Sequence, residues 1–133
     1  MPENDTTIEL AVATPERELV REPVSEIQIP ALEGYLGVLP GHAPLVSILG
    51  TGALSYTAGG KKTYLAIQGG FVEVLPGRVR VLADIAEPGA GIDLGKARAQ
   101  LAEAQARLAT AEPEAGLAAV ALAEARIAAA SGG

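Results

Sequence analysis

The chain has 133 residues, 49% of them hydrophobic, which is room for one domain or one domain with an appendage. Cysteine and tryptophan are absent and Tyr and Phe together number four, so disulfides, thiol chemistry and an aromatic core are excluded. A net charge of −6 argues against a nucleic-acid partner, which would want a basic face.

The chain opens Met-Pro-Glu-Asn-Asp, acidic and polar, the opposite of a secretory signal, so no targeting segment is expected. Short strands follow. Ile8, Leu10 and Val12 alternate with Glu9 and Ala11, and Ile27 and Ile29 alternate with Glu26 and Gln28, the period of a strand with one buried face. Arg17–Glu22 reads as a strand between them. Next, Tyr35–Leu39 and Leu45–Leu49 read as two strands joined by a tight bend, in which Pro40 and Pro44 bracket Gly41 and His42, the only histidine. Gly34–Gly60 carries no Asp, Glu, Lys or Arg, yet its prolines and glycines break it into short apolar groups. Strands with turns explain it better than a membrane span, and a soluble chain is expected.

Further strands are predicted at Gly52–Thr57, Lys61–Ile67, Phe71–Leu75 and Arg78–Ala83. Ala58-Gly59-Gly60 and Pro76-Gly77 suit hairpin reversals, and Gly69-Gly70 suits a bulge or a close backbone approach. Residues 1–88 are therefore expected to form an antiparallel β-sandwich or flattened barrel.

After Glu87-Pro88-Gly89-Ala90-Gly91 alanine dominates and β-branched residues almost vanish. Leu94, Ala97, Leu101, Ala104 and Leu108 form one helical stripe, with Asp93 as its N-cap. Glu112-Pro113-Glu114 interrupts it, and Pro113 starts a second helix with Leu117, Val120, Glu124 and Ile127 as its expected stripe. Residues 89–133 thus read as a C-terminal α-helical hairpin, α+β overall. Its narrow, alanine-rich stripe buries little area, so the hairpin should hold weakly and be a moving part.

No catalytic constellation is visible. His42 has no second His or Cys for a zinc site, and nothing sets Ser47 or Ser55 beside it, so it reads as structural or interfacial. Gly59-Gly60-Lys61-Lys62-Thr63 lacks the spacing of a phosphate loop, and Gln68-Gly69-Gly70 precedes a strand rather than a helix. Glu103 and Arg107 are an exposed i,i+4 pair.

Three phrases together are specific. Gly34–Leu49, with its Pro-Gly-His-Ala-Pro segment, Gly69-Gly70-Phe71-Val72-Glu73-Val74, and Val79-Arg80-Val81-Leu82-Ala83-Asp84 resemble the epsilon-subunit family of bacterial F-type ATP synthases; Val12–Arg17 also fits. The resemblance spans essentially the whole chain. It implies a non-catalytic rotor part without metal or required cofactor, peripheral on the cytoplasmic side of the bacterial plasma membrane. A sandwich face would pack on the gamma subunit, and the loop carrying Tyr35, Gly37, Pro40, Gly41 and His42 would face the ring of c subunits.

The family's hairpin can fold against the sandwich or extend along gamma, where it meets the catalytic beta subunit and blocks ATP hydrolysis. Here Lys96, Arg98, Arg107 and Arg126 stand against Asp93, Glu103, Glu112, Glu114 and Glu124, four against five, net −1. Attraction to an acidic target should be weak. Some members also bind regulatory ATP through an Ile/Leu-Asp-x-x-Arg-Ala motif. Ile92, Asp93, Lys96 and Ala97, with Arg126 further on, match it except that lysine replaces arginine; Glu103 stands where a later arginine would be expected. The resemblance therefore leaves a regulatory ATP site open, with a helix cap and a solvated lysine as the favoured account. A free-standing binding module with a helical dimerisation hairpin would explain the architecture but not the phrases, and nothing supports a small enzyme.

Overall fold

Period-2 patterning becomes eight strands in the computed structural model, which describes residues 6–108 and 113–132. They are β1 (Ile8–Ala13), β2 (Glu18–Val24), β3 (Glu26–Ala31), β4 (Gly34–Val38), β5 (Leu45–Ile48), β6 (Thr51–Ala58), β7 (Lys61–Leu75) and β8 (Arg78–Pro88). A single 3-10 turn, Gly89–Gly91, leads into helices α1 (Leu94–Arg107) and α2 (Pro113–Ala130). The polar start at 1–5, Glu112 of the helix interruption and the terminal Gly133 lie outside the described residues.

The strands run β2-β1-β8-β7-β6-β3-β4, with β5 on the second half of β7. Every pairing is antiparallel except β1 with β8, which corrects the all-antiparallel expectation. The cause is topological: one edge of β1 is taken by its hairpin partner β2, and its other edge meets the last strand, whose direction β7 has already set.

Lys61–Ile67 and Phe71–Leu75 are one strand of 15 residues, not two, bent at Gly69-Gly70. Leu65 and Ile67 point into the core before the bend, Val72 and Val74 after it, so the inward parity switches. β8 switches with it: Val79, Val81 and Ala83 face in, then Ala86, while Ile85 and Glu87 turn outward. The two glycines carry φ of +72° and +107°, a region L side chains rarely adopt. Here two long strands leave one layer of the sandwich and enter the other, the use sandwiches make of bends and bulges. Because pairing continues from Ala66↔Glu87 to Leu65↔Pro88, β8 runs five residues beyond its expected end at Ala83.

Between the layers lies a core of Leu10, Val12, Ile27, Ile29, Leu54, Leu65, Ile67 and Val72 with their neighbours, almost wholly aliphatic. Its one aromatic member, Tyr56, sends its hydroxyl to Glu22 Oε2 at 2.9 Å, tying β6 to β2. Burial, then the bond to Glu22, raises the Tyr56 pKa above the usual tyrosine value, although Thr63 pulls the other way. A raised folded pKa means that the contribution is complete below the unfolded pKa, about 10, and is lost as pH rises through the folded value. Tyr56→Phe is expected to cost about 1 kcal/mol at pH 7 and to remove part of the alkaline destabilisation. Urea midpoints at pH 7 and above pH 10 check both.

Helix α1 starts where Asp93 caps it: Oδ1 accepts from the Lys96 amide at 3.0 Å. Ala97 and Ala104 of the expected stripe are buried. On α2 the expected stripe is met only in part: Val120 is half-buried and Ile127 packs on the second apolar cluster, but Leu117 is 61% exposed and Glu124 is exposed, whereas Gly116, Ala123, Ala125 and Ala129 are buried. Small side chains let α2 lie close on β6 and β7, with Ala66, Ile92, Ala97, Ala125 and Ala129 in a second apolar cluster. Gly89 permits the same approach, because a Cβ there would overlap the carbonyl of Ala129. The hairpin is thus folded back on the sandwich.

Candidate functional site

Strand β4 separates the residues of the Tyr35–His42 segment rather than presenting them as one loop. Tyr35 and Gly37 lie on the strand; Pro40, Gly41 and His42 lie in the turn beyond it, so Tyr35 is three strand steps, about 10 Å, from Val38, where the strand ends. Tyr35 lies across Gly52, where any side chain would collide with its ring, and its hydroxyl accepts the Ala53 amide at 3.0 Å. That amide is beyond the reach of β3, which pairs with β6 only from Ser55 to Thr57. The tyrosine is fixed but remains 60% exposed.

Around it, Leu32, Tyr35, Val46 and Ile48 line a shallow groove of about 520 Å³ whose one charged wall residue is Glu33. His42 belongs to a separate hollow of about 270 Å³, walled by Leu39, Pro44, Leu75 and Pro76. Its amide bonds to the Leu39 carbonyl at 3.1 Å and closes the turn. Its Nδ1 is 2.6 Å from the Ala43 carbonyl, which can only accept, so Nδ1 carries the proton. Both contacts shape the bend.

The strand registers define a second surface. Ile48, Phe71, Leu82 and Ala13 align across β5, β7, β8 and β1 on the outer face of one layer. The next row is Val46, Glu73, Arg80, Ala11 and Arg21, in which Arg80 pairs with Glu73 at 3.3 Å. An apolar row beside an ion-paired one, with Val46 and Ile48 at 69% and 60% exposure on a strand at the sheet's edge, is the composition of a docking face. The segment reading did not reach these residues. The available signal was Leu45-Val46-Ser47-Ile48-Leu49, a run apolar on both faces where a solvated strand would alternate.

The residues considered for a nucleotide go to different places. Ile92 and Ala97 enter the apolar cluster under α2, the Asp93 carboxylate caps α1, and Lys96 is exposed. Arg126 lines a cleft of about 480 Å³ between β8, α1 and α2, shared with Glu87, Gln100, Glu103 and Arg107. Its guanidinium forks onto Glu87, Nε to Oε1 at 2.8 Å and Nη2 to Oε2 at 3.1 Å, and Nη1 donates to Gln100 Oε1. A phosphate entering there would meet two arginines, Arg107 and Arg126, and two carboxylates, Glu87 and Glu103, and would have to displace the bidentate Glu87 carboxylate from Arg126.

Among the described residues no group of three or more His, Cys, Asp or Glu could hold a metal ion, and no helix is long and apolar enough to cross a membrane. The geometry is one of surfaces: an outer sheet face, a charge-poor groove, and a docked helical arm.

Comparison with known proteins agrees with this. Residues 7–89 match the profile of the family described as "ATP synthase, Delta/Epsilon chain, beta-sandwich domain". The ATP synthase epsilon chain of Solibacter usitatus (strain Ellin6076) is 54% identical over 126 residues, 92% of this chain and 94% of that one. That of Koribacter versatilis (strain Ellin345) is 43% identical over 108 residues, 81% and 76% of the two chains. Among solved structures, a chain in the Euglena gracilis mitochondrial ATP synthase, OSCP/F1/c-ring in rotational state 1, superposes with a TM-score of 0.79 at 32% identity. The match covers 96% of this chain and 82% of that one. A Tetrahymena thermophila mitochondrial ATP synthase central stalk/c-ring structure matches at TM-score 0.62 and 16% identity, over 90% and 96% of the chains, a likeness of fold alone.

Proposed function

The chain belongs to the ATP synthase epsilon-chain family, a stalk subunit and not the catalytic one, and from that premise we propose how its surfaces divide the work. The outer sheet face with Val46, Ile48, Phe71 and Leu82 docks on the gamma subunit. The charge-poor rim of Tyr35, Gly37, Pro40, Gly41 and His42 faces the c ring. The observation that carries this is the exposed apolar row across β5, β7, β8 and β1, which a free-standing chain would leave in water. Torque from the ring then passes through a rigid sandwich to gamma. The chain sits peripherally, on the cytoplasmic side of the bacterial plasma membrane, held by its partners.

The hairpin is a movable arm that brakes ATP hydrolysis when it reaches the catalytic beta subunit. Its net charge of −1 from Asp93 onward makes that brake modest and little dependent on salt. Deleting the residues after Gly91 is expected to raise ATPase activity of the assembled complex by less than about tenfold, under about 1.4 kcal/mol. A larger activation that vanishes at high salt would contradict the weak-charge account. No regulatory nucleotide is needed in this reading, because Arg126 already has its anionic partner.

A further inference from the structure

We propose that Arg126 is an internal latch that parks the helical arm on the sandwich without a bound ligand. It is the only cation of α2, and one side chain reaches both other parts of the chain, Glu87 on β8 and Gln100 on α1. The pair is sheltered, with side-chain exposures of 18% for Arg126 and 37% for Glu87, so it is screened less than a surface ion pair.

The rest of the docking face has little with which to fix a position. Ala125 and Ala129 meet Ala66, Ala97 and Ile92, with Tyr64 and Ile127 packed beside them, an apolar contact that is mostly methyl groups and carries no directional preference. Among the described residues a further directional tie is the Gln68 side-chain amide donating to the Ala118 carbonyl at 3.2 Å, and it is exposed and uncharged. A bidentate carboxylate–guanidinium pair is therefore the strongest directional contact between arm and sandwich.

The latch also depends on the corner in the sheet. Glu87 faces outward only because β8 switches parity opposite Gly69-Gly70, which aims its carboxylate at the arm. The contact is thus built into the sandwich, and α2 closes onto it.

This deepens the reading of the hairpin as a movable arm, and its test is separate from the ATPase assay. Hydrogen–deuterium exchange is followed across the whole isolated chain for wild type, Arg126→Ala and Glu87→Gln, at 50 and 500 mM KCl. In Arg126→Ala the α1 and α2 amides should exchange about tenfold faster while the core strands keep their wild-type rates. Glu87→Gln, which keeps one hydrogen bond and loses the charge, should fall in between. Salt should speed helix exchange in wild type only, and added Mg-ATP at millimolar concentration should leave it unchanged. Unchanged helix exchange in both variants would overturn the latch. So would strands and helices accelerating together, or Mg-ATP slowing the helices of wild type. None of those outcomes bears on whether the arm brakes hydrolysis, which the deletion decides.

Discussion

Replacing Gly70 with alanine lowers the stability of the sandwich by about 3 kcal/mol or more, the largest effect expected of any single methyl group in this chain. A Cβ at Gly70 would overlap the Leu82 carbonyl and lie 2.9 Å from the Ala83 Cα, both backbone atoms of the paired strand. Neither can swing aside as a flexible side chain would. The φ of +107° adds strain of about 1–3 kcal/mol for an L residue. Relief would require β7 and β8 to part where Leu49 and Gly69 also bond across the corner, to Gly70 and Gly50. A domain of this size has about 5–15 kcal/mol in total, so the variant should be marginal. Urea unfolding measures the loss; an unchanged midpoint would mean that the corner is not required.

The second large effect concerns docking. Ile48→Asp should weaken binding of the chain to gamma by about a hundredfold or more, because a carboxylate in the centre of an apolar interface loses water without gaining a partner. A hundredfold corresponds to about 2.7 kcal/mol, within the usual cost of such burial. The fold should be unaffected, since Ile48 is 60% exposed and contributes to neither apolar cluster. Leu117→Asp, at a position equally exposed but on the arm, is the matched control and should bind as wild type does. Isothermal titration with purified gamma separates the two, and equal affinities would remove the outer face from the interface.

The sequence carried most of the strands, because alternation at Ile8-Leu10-Val12 or Ile27-Ile29 is a direct imprint of one buried face. It read Gly69-Gly70 as a bulge or close approach, which is what the pair is, but not that the two flanking strands are one. Continuity depends on β8 bending in step, twelve to sixteen residues later in the chain, and no local pattern records that. The stripe of α2 was legible only at Val120 and Ile127, for a different reason. In a helix that is mostly alanine the large side chains do not mark the buried face, which falls on small ones, as at Gly116, Ala123 and Ala125. Nor could spacing foretell the Arg126–Glu87 fork, whose partners are 39 positions apart and meet only through the corner. The Pro40–His42 bend was recognisable as a specified turn, and the structure shows what specifies it: the His42 amide on Leu39. What the segment reading overlooked was the neighbouring Val46 and Ile48, whose exposure follows from the position of β5 at a sheet edge.

Most direct for the stalk role is size-exclusion chromatography of the unmodified chain with purified gamma and c ring from the same complex. The account predicts that the chain elutes with gamma in equal stoichiometry and that the pair moves together to the position of the ring when the ring is added. A chain that elutes alone in the presence of both partners would contradict it.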